Sequence, residues 1–229
     1  MKRDLLDLYS DYLLSSFSLA TATGLSEMTD GVYSHDQITR MLGAEKYSQK
    51  QYWQMVKPVV RQVEREDAAI LIDDTIEEKP HTDESELITW HYDHSQGRSV
   101  KGVNLLNFVY HSQTPSGQAI SFPVAYETVT KPDVYQDPKS GKWKRRSLVS
   151  KNQLVRERLK VLSKINQLKF KYVINDIWFS SKDNMKWIKN ELKKEFVMAL
   201  KSNRLVALSE QDKIQGRFVA LADLELKAG

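Results

Sequence analysis

The sequence predicts an α/β protein: a mixed sheet in the order β-β-β-α-β-α-β, preceded by a small helical region. Three observations predict it. Up to about residue 66 the apolar residues recur at helical spacing. From Ala68 the pattern changes to short, apolar, β-branched runs, three in succession. Beyond Ser147 such runs return singly, each behind a stretch of helical periodicity. A helix between two strands lays itself across a sheet face, which is how a sheet becomes mixed.

The elements follow in order. Leu5, Tyr9, Tyr12 and Leu13 predict a helix over about residues 2–17. Thr21 to Gly31, rich in Thr, Ser and Gly, reads as a connector. Ser34 is placed to cap a short helix through Met41, stopped at Gly43. Ser48 is placed to cap a longer one with Tyr52, Val56, Val59, Val60 and Val63 on one face, kinked or restarted at Pro58. The strands are residues 68–74, 100–111 and 120–126, the last two joined by a hairpin turn at Thr114–Gly117. A helix over about 147–168, a strand at 171–176, a helix over about 181–195 and a strand at 196–200 complete the series. The expected divisions are a helical region 1–66, a catalytic-type domain 67–203 and a β-rich segment 204–229.

Composition bounds the function. The chain has 229 residues, 41% hydrophobic and 28% charged, which suits a folded protein with a sizeable core. No cysteine is present, so disulfides and thiolate metal sites are excluded. No apolar run approaches the ~20 residues of a membrane span. The formal net charge of +4 mildly favours a nucleic-acid partner.

Two aspartates stand out. Asp74 ends the run Ala68–Ile72, and Asp176 ends the run Tyr172–Asn175. A carboxylate at the end of a central strand lies where the sheet meets solvent, and two on neighbouring strands suit a hard divalent cation. Such a cation serves phosphodiester cleavage and joining. Asp73 and Asp74 are consecutive, so a strand points them to opposite faces.

The words around these aspartates resemble the catalytic blocks of bacterial insertion-sequence transposases of the DDE class. The first block is LIDDTIEEKPHTDESELITWHYDHSQGRSVKGVNLLNFVYHSQ (residues 71–113) and the second is YVINDIWFSSKDNMKWIK (residues 172–189). The resemblance implies a ribonuclease-H-like fold, with Asp74 and Asp176 as catalytic Mg²⁺ ligands (Mn²⁺ as a substitute). Asp74 is preferred over Asp73 because the family's aspartate directly precedes a Thr or Trp. The resemblance further implies double-stranded DNA as partner, at transposon ends and target. It implies DNA-end contacts from the helical region, a homodimer in the synaptic complex, and a bacterial cytoplasmic protein that joins the nucleoid when bound to DNA. The family's third carboxylate is a Glu within a signature that begins with Tyr. The last Tyr here is Tyr172, so no such signature follows Asp176. Glu191, Glu195, Glu210 and Glu225 lack its flanks. The expectation is therefore a chain truncated before the catalytic Glu, and inactive alone. A non-mobile nuclease of the same fold and a catalytically dead DNA-binding remnant are the alternatives.

A basic stretch is the second functional feature. From Lys139 to Lys160 there are nine Lys or Arg, opposed in sequence only by Glu157. Lys142, Lys144, Arg145, Arg146, Lys151 and Arg156 are the candidates for phosphate contacts, with Trp143 among them for stacking. The polar segment Asp93–Lys101 adds Arg98 and Lys101 as a DNA-facing loop. His91, Asp93 and His94 are close in sequence, but the ordered Cys/His spacing of a zinc site is missing.

Overall fold

The computed structural model describes residues 2–17, 20–44 and 48–224. It divides into two compact units, Met1–Gln51 and Tyr52–Gly229.

The first unit holds α1 (Lys2–Ser15), α2 (Ala22–Met28) and α3 (His35–Ala44). Leu5, Tyr12, Leu25 and Ile38 form its small core. α2 falls in the segment read as a connector. Its signal was Thr21, whose Oγ1 accepts the Gly24 N–H at 2.9 Å as an N-cap. Ser34 starts α3 as expected: Gln37 Oε1 accepts the Ser34 N–H at 2.9 Å, and Ser34 Oγ accepts the Gln37 N–H at 3.3 Å, a reciprocal capping box.

Ser48 and Gln51 repeat that box at the start of α4 (Gln49–Val63), which runs through Pro58. α4 buries Trp53 and Val60 in the core of the second unit. Most of this helix therefore packs with the sheet, within the compact unit that begins at Tyr52.

The strands of the second unit are β1 (Ala69–Glu78), β2 (Thr89–Asp93), β3 (Arg98–Gln113) and β4 (Ala119–Thr128). β5 (Asp133–Gln136) and β6 (Trp143–Arg146) follow as a separate hairpin. Next come α5 (Lys151–Lys160), ending in a π-helical turn over Val161–Ile165, then β7 (Tyr172–Asn175), α6 (Lys182–Asn190) and β8 (Glu195–Met198). The sheet runs β4-β3-β1-β7-β8, with β2 paired to the start of β3. β1 is antiparallel to β3 and parallel to β7, and β7 is parallel to β8. This mixed order is the one the ribonuclease-H-like expectation requires. β2, β5 and β6 are additions to the strand order that the sequence predicts.

Local chemistry explains the pairing. Ile70, Ile72, Leu106, Phe108 and Val173 are buried on one sheet face, against Val155 and Leu159 of α5 and Ile188 of α6. A one-residue slip would turn all of them to the other face, so the register is held firmly. β3 reaches β1 closely at Gly102. A Cβ there would overlap the Glu77 carbonyl oxygen and lie 2.9 Å from its carbon. Pro123 sits in β4, where the pairing with β3 shifts between Phe108 and Val109. A bulge on an outer strand tolerates a residue without an N–H.

Beyond β8 the described residues form a short ribbon, β9 (Leu205–Val206) and β10 (Val219–Ala220), with α7 (Glu210–Ile214) between them. Arg204 ties this ribbon to the sheet by donating to the Ser180 carbonyl at 2.7 Å. Glu225 lies outside the described residues. Among those described, no helix is long and apolar enough to cross a membrane.

Candidate active site

The site lies where the parallel pairing of β1 with β7 ends; β7 stops there, whereas β1 does not end at residue 74 as expected but runs on to Glu78 against β3. Ile72 of β1 stands opposite Asn175 of β7. One step further along each chain come Asp73 and Asp176. Asp73, Asp74 and Asp176 all line one cleft of about 340 Å³, with Tyr92, His94 and Trp178 at its rim. The two sequence-predicted carboxylates are therefore brought together. The alternation within β1 gives the consecutive aspartates different surroundings. Asp73 is exposed, and its Oδ1 accepts the Asp74 N–H at 2.8 Å. Asp74 is largely covered. Its Oδ2 accepts from Asn104 Nδ2 at 3.0 Å and from Lys151 Nζ at 2.5 Å.

Asp176 carries the electrostatic signature of a shared anionic site. Its pKa is raised, first by burial, and further by the carboxylates of Asp73 and Asp74. The Trp178 N–H, which donates to Asp176 Oδ1 at 3.0 Å, acts against that rise. Two further carboxylates that disfavour the ionised form of Asp176 make a place where a cation is favourable. Among the described residues no three acidic or imidazole groups form a closed metal cage. Mg²⁺ keeps water and takes one or two carboxylates together with substrate phosphate oxygens. The donor set fits such an ion.

The loop after Asp176 is anchored from behind. Asn184, fully buried in α6, accepts from Arg156 Nη1 at 2.6 Å and donates to Asn152 Oδ1 at 2.8 Å and to the Phe179 carbonyl at 2.9 Å. Arg156, a sequence candidate for DNA, is thus held inside the α5–α6 contact. On the rim, His94 stacks on Trp178 with ring centroids 3.7 Å apart, Tyr92 meets His94 edge-on, and Lys201 lies over Trp178. Deeper on the Asp74 side lies His91, with its pKa lowered to about 4 by burial and then by Lys131 and Lys151. Its Nε2 and the Oδ1 of Asn104 are buried with no protein partner.

The basic stretch differs from its reading in sequence. Tertiary structure brings carboxylates to most of it: Asp137 to Lys144, Asp133 to Arg146, Glu84 to Arg145 at 3.6 Å, Asp74 to Lys151, and Glu127 to Arg158. Lys142 and Trp143 remain exposed on the β5–β6 hairpin. Arg98 pairs with Glu78 at 2.7 Å, and Lys101 is half-buried in β3. Neither Glu191 nor Glu195 completes the acidic site. Glu191 is exposed at the C-terminus of α6. Glu195 stands opposite Tyr172, at the far end of β7 from Asp176, and is paired with Lys189.

The family model for DDE superfamily endonucleases matches residues 1–216. The chain belongs to that superfamily. Enzymes of the DDE superfamily typically use divalent metal ions. Among solved structures, the chain is similar to the Drosophila P element transposase strand transfer complex, at 10% sequence identity and a TM-score of 0.41. The match covers 87% of this chain and 41% of that one, so this DDE protein spans about two fifths of the other's length. No curated protein matches it.

Sequence reasoning missed the partners of the acidic residues: Asn104, Lys151 and Asn184. Asn104 and Asn184 carried a faint signal, as amides on the apolar faces of a strand and a helix. Lys151 carried none beyond its place in the basic run.

Proposed function

We propose that this chain is the DNA-cutting part of a transposase of the bacterial insertion-sequence type. It would cleave and join phosphodiesters at the ends of its element, in the cytoplasm, as a homodimer when two ends are held together. The observation that supports this reading is the cleft lined by Asp73 and Asp74, midway along β1, and by Asp176, just past β7, in a chain of the DDE superfamily.

Asp74 and Asp176 would hold Mg²⁺, or Mn²⁺ in its place. Bound there, the metal supplies a nucleophilic oxygen and neutralises charge on the leaving oxygen. The chain's own residues do the rest. Asn104 fixes the Asp74 carboxylate through Oδ2. Asn184 fixes the turn that carries Asp176. Lys142 and Trp143 reach solvent on the hairpin and contact DNA, while Lys144, Arg145 and Arg146 exchange their carboxylate partners for phosphates. Arg98 and Lys101 flank the rim strand β2.

The test is strand cleavage on duplex DNA carrying the inverted repeats that flank the gene, with Mg²⁺ or Mn²⁺. Metal-dependent nicking at the repeat ends, lost in Asp74→Ala and in Asp176→Ala, supports the site and would overturn the expectation that this chain is inactive alone. Cutting that survives both substitutions would overturn the site. Cutting without preference for the ends points instead to a non-mobile nuclease. Specific binding without cutting points to a catalytically dead DNA-binding protein.

A further inference from the structure

Asp74 is held by two residues of different kinds. Asn104 is fully buried and neutral in β3, and its hydrogen bond to Oδ2 restrains Asp74 without any charge. Lys151 is the first residue of α5, and about a third of its side chain is exposed. Its ammonium group meets the same oxygen of Asp74, at 2.5 Å. Among the described residues, Asp74 Oδ1 accepts no hydrogen bond. A smaller cleft of about 240 Å³, lined by Lys151, Asn152 and Phe179, shares Asp74, His94 and Trp178 with the acidic cleft and so adjoins it. Lysine is a mobile point charge on a flexible stem, unlike the forked guanidinium of arginine. It can leave Asp74 without disturbing the strand and still face the cleft.

From this geometry we infer that Lys151 is a displaceable internal cation. It neutralises Asp74 in the absence of metal, and a divalent ion bound at Asp74 drives its ammonium group away, toward a DNA phosphate in the adjoining cleft. The inference rests on the reading of Asp74 and Asp176 as metal ligands. Two cations drawn to one carboxylate repel each other, so Lys151 opposes metal binding until DNA supplies a second anion for it. Metal and DNA would then reinforce each other's binding through this one side chain. A residue that merely positioned Asp74 would have the opposite effect, because its loss would weaken metal binding.

The sign of the change is the test. Mn²⁺ binding to the full chain is measured from the electron paramagnetic resonance signal of the free ion. Lys151→Met and Lys151→Gln should bind Mn²⁺ at least about tenfold more tightly than the unsubstituted chain, a lower bound set by the interaction of a unit charge about 4 Å from a divalent ion in bulk water. Lys151→Arg, which keeps the charge, should not show that gain. In a second measurement, Ca²⁺ should strengthen binding of a short DNA duplex in the unsubstituted chain and do so several-fold less in Lys151→Met. Circular dichroism checks that each variant is folded, and two neutral replacements guard against the failure of one. Unchanged or weaker Mn²⁺ binding in the neutral variants, with binding still lost in Asp74→Ala, would overturn the role of Lys151 alone. Absence of Mn²⁺ binding in the unsubstituted chain, or binding that survives both Asp74→Ala and Asp176→Ala, would overturn the metal reading and this inference with it.

Discussion

Replacing Asn184 with Ala tests how the acidic site is supported, independently of any assay of DNA cutting. The side chain is fully buried and makes three hydrogen bonds, to Arg156, Asn152 and the Phe179 carbonyl. The bond from the Arg156 guanidinium is charge-assisted and contributes about 1.5–3 kcal/mol, and the two neutral bonds about 1 kcal/mol each. Alanine also leaves a charged donor and a carbonyl without partners at a covered contact, where water replaces them poorly. The expected loss is about 3–5 kcal/mol, a large part of the ~5–15 kcal/mol that holds a domain together. Urea unfolding followed by tryptophan fluorescence measures it, with the midpoint falling at an unchanged slope. Asn184→Asp is the companion variant. It keeps the acceptor for Arg156 and loses only the donor side, so it should be less destabilising than Ala. Because Phe179 follows Asp176 in the same turn, weaker Mn²⁺ binding should accompany the alanine variant even where it is fully folded. A loss below about 1 kcal/mol would refute the claim that this amide joins α5, α6 and the Asp176 turn.

Four further outcomes are expected. Asp176→Asn should stabilise the protein at neutral pH and abolish Mn²⁺ binding, seen by thermal unfolding and resonance titration. The raised pKa of Asp176 means that its ionisation costs native stability as pH rises through the folded-state value, and the amide removes that cost. Gly102→Ala should lower stability by about 1–3 kcal/mol in urea unfolding, because the new Cβ meets the β1 backbone at Glu77 and Glu78 rather than a movable side chain. His91, with its pKa lowered from 6.5 to about 4, should make stability fall as pH drops from 6.5 toward 4. The unfolded chain binds the proton first over that window, by up to about 3 kcal/mol, and the pH slope of the melting temperature should diminish in His91→Gln. On duplex DNA, Lys142→Ala should flatten the slope of log affinity against log salt by roughly 0.9 if it loses one phosphate contact; an unchanged slope would return the hairpin to an ordinary solvated surface.

Much of this protein is fixed by short-range pattern. The β-branched runs at 68–74 and 171–176 mark the two central strands because a buried strand needs apolar side chains on both faces. The serines at 34, 48, 150 and 181 mark helix starts, because each side chain supplies an acceptor to an otherwise unpaired N–H. Asp74 and Asp176 are visible because each directly follows such a run; at Asp176 the strand ends, whereas β1 continues past Asp74 to Glu78 because β3 is long enough to pair with it. The strands β2, β5 and β6 were hidden because they are short and polar, and their pairing depends on partners elsewhere. The basic stretch shows the limit most clearly. Along the chain its charges face only Glu157, whereas folding brings in Asp74, Glu84, Glu127, Asp133 and Asp137. Local spacing determines which residues a strand or helix presents, but charge pairing depends on distances between residues far apart in sequence. The contact of Lys151 with Asp74, across 77 positions, exists only in the folded chain.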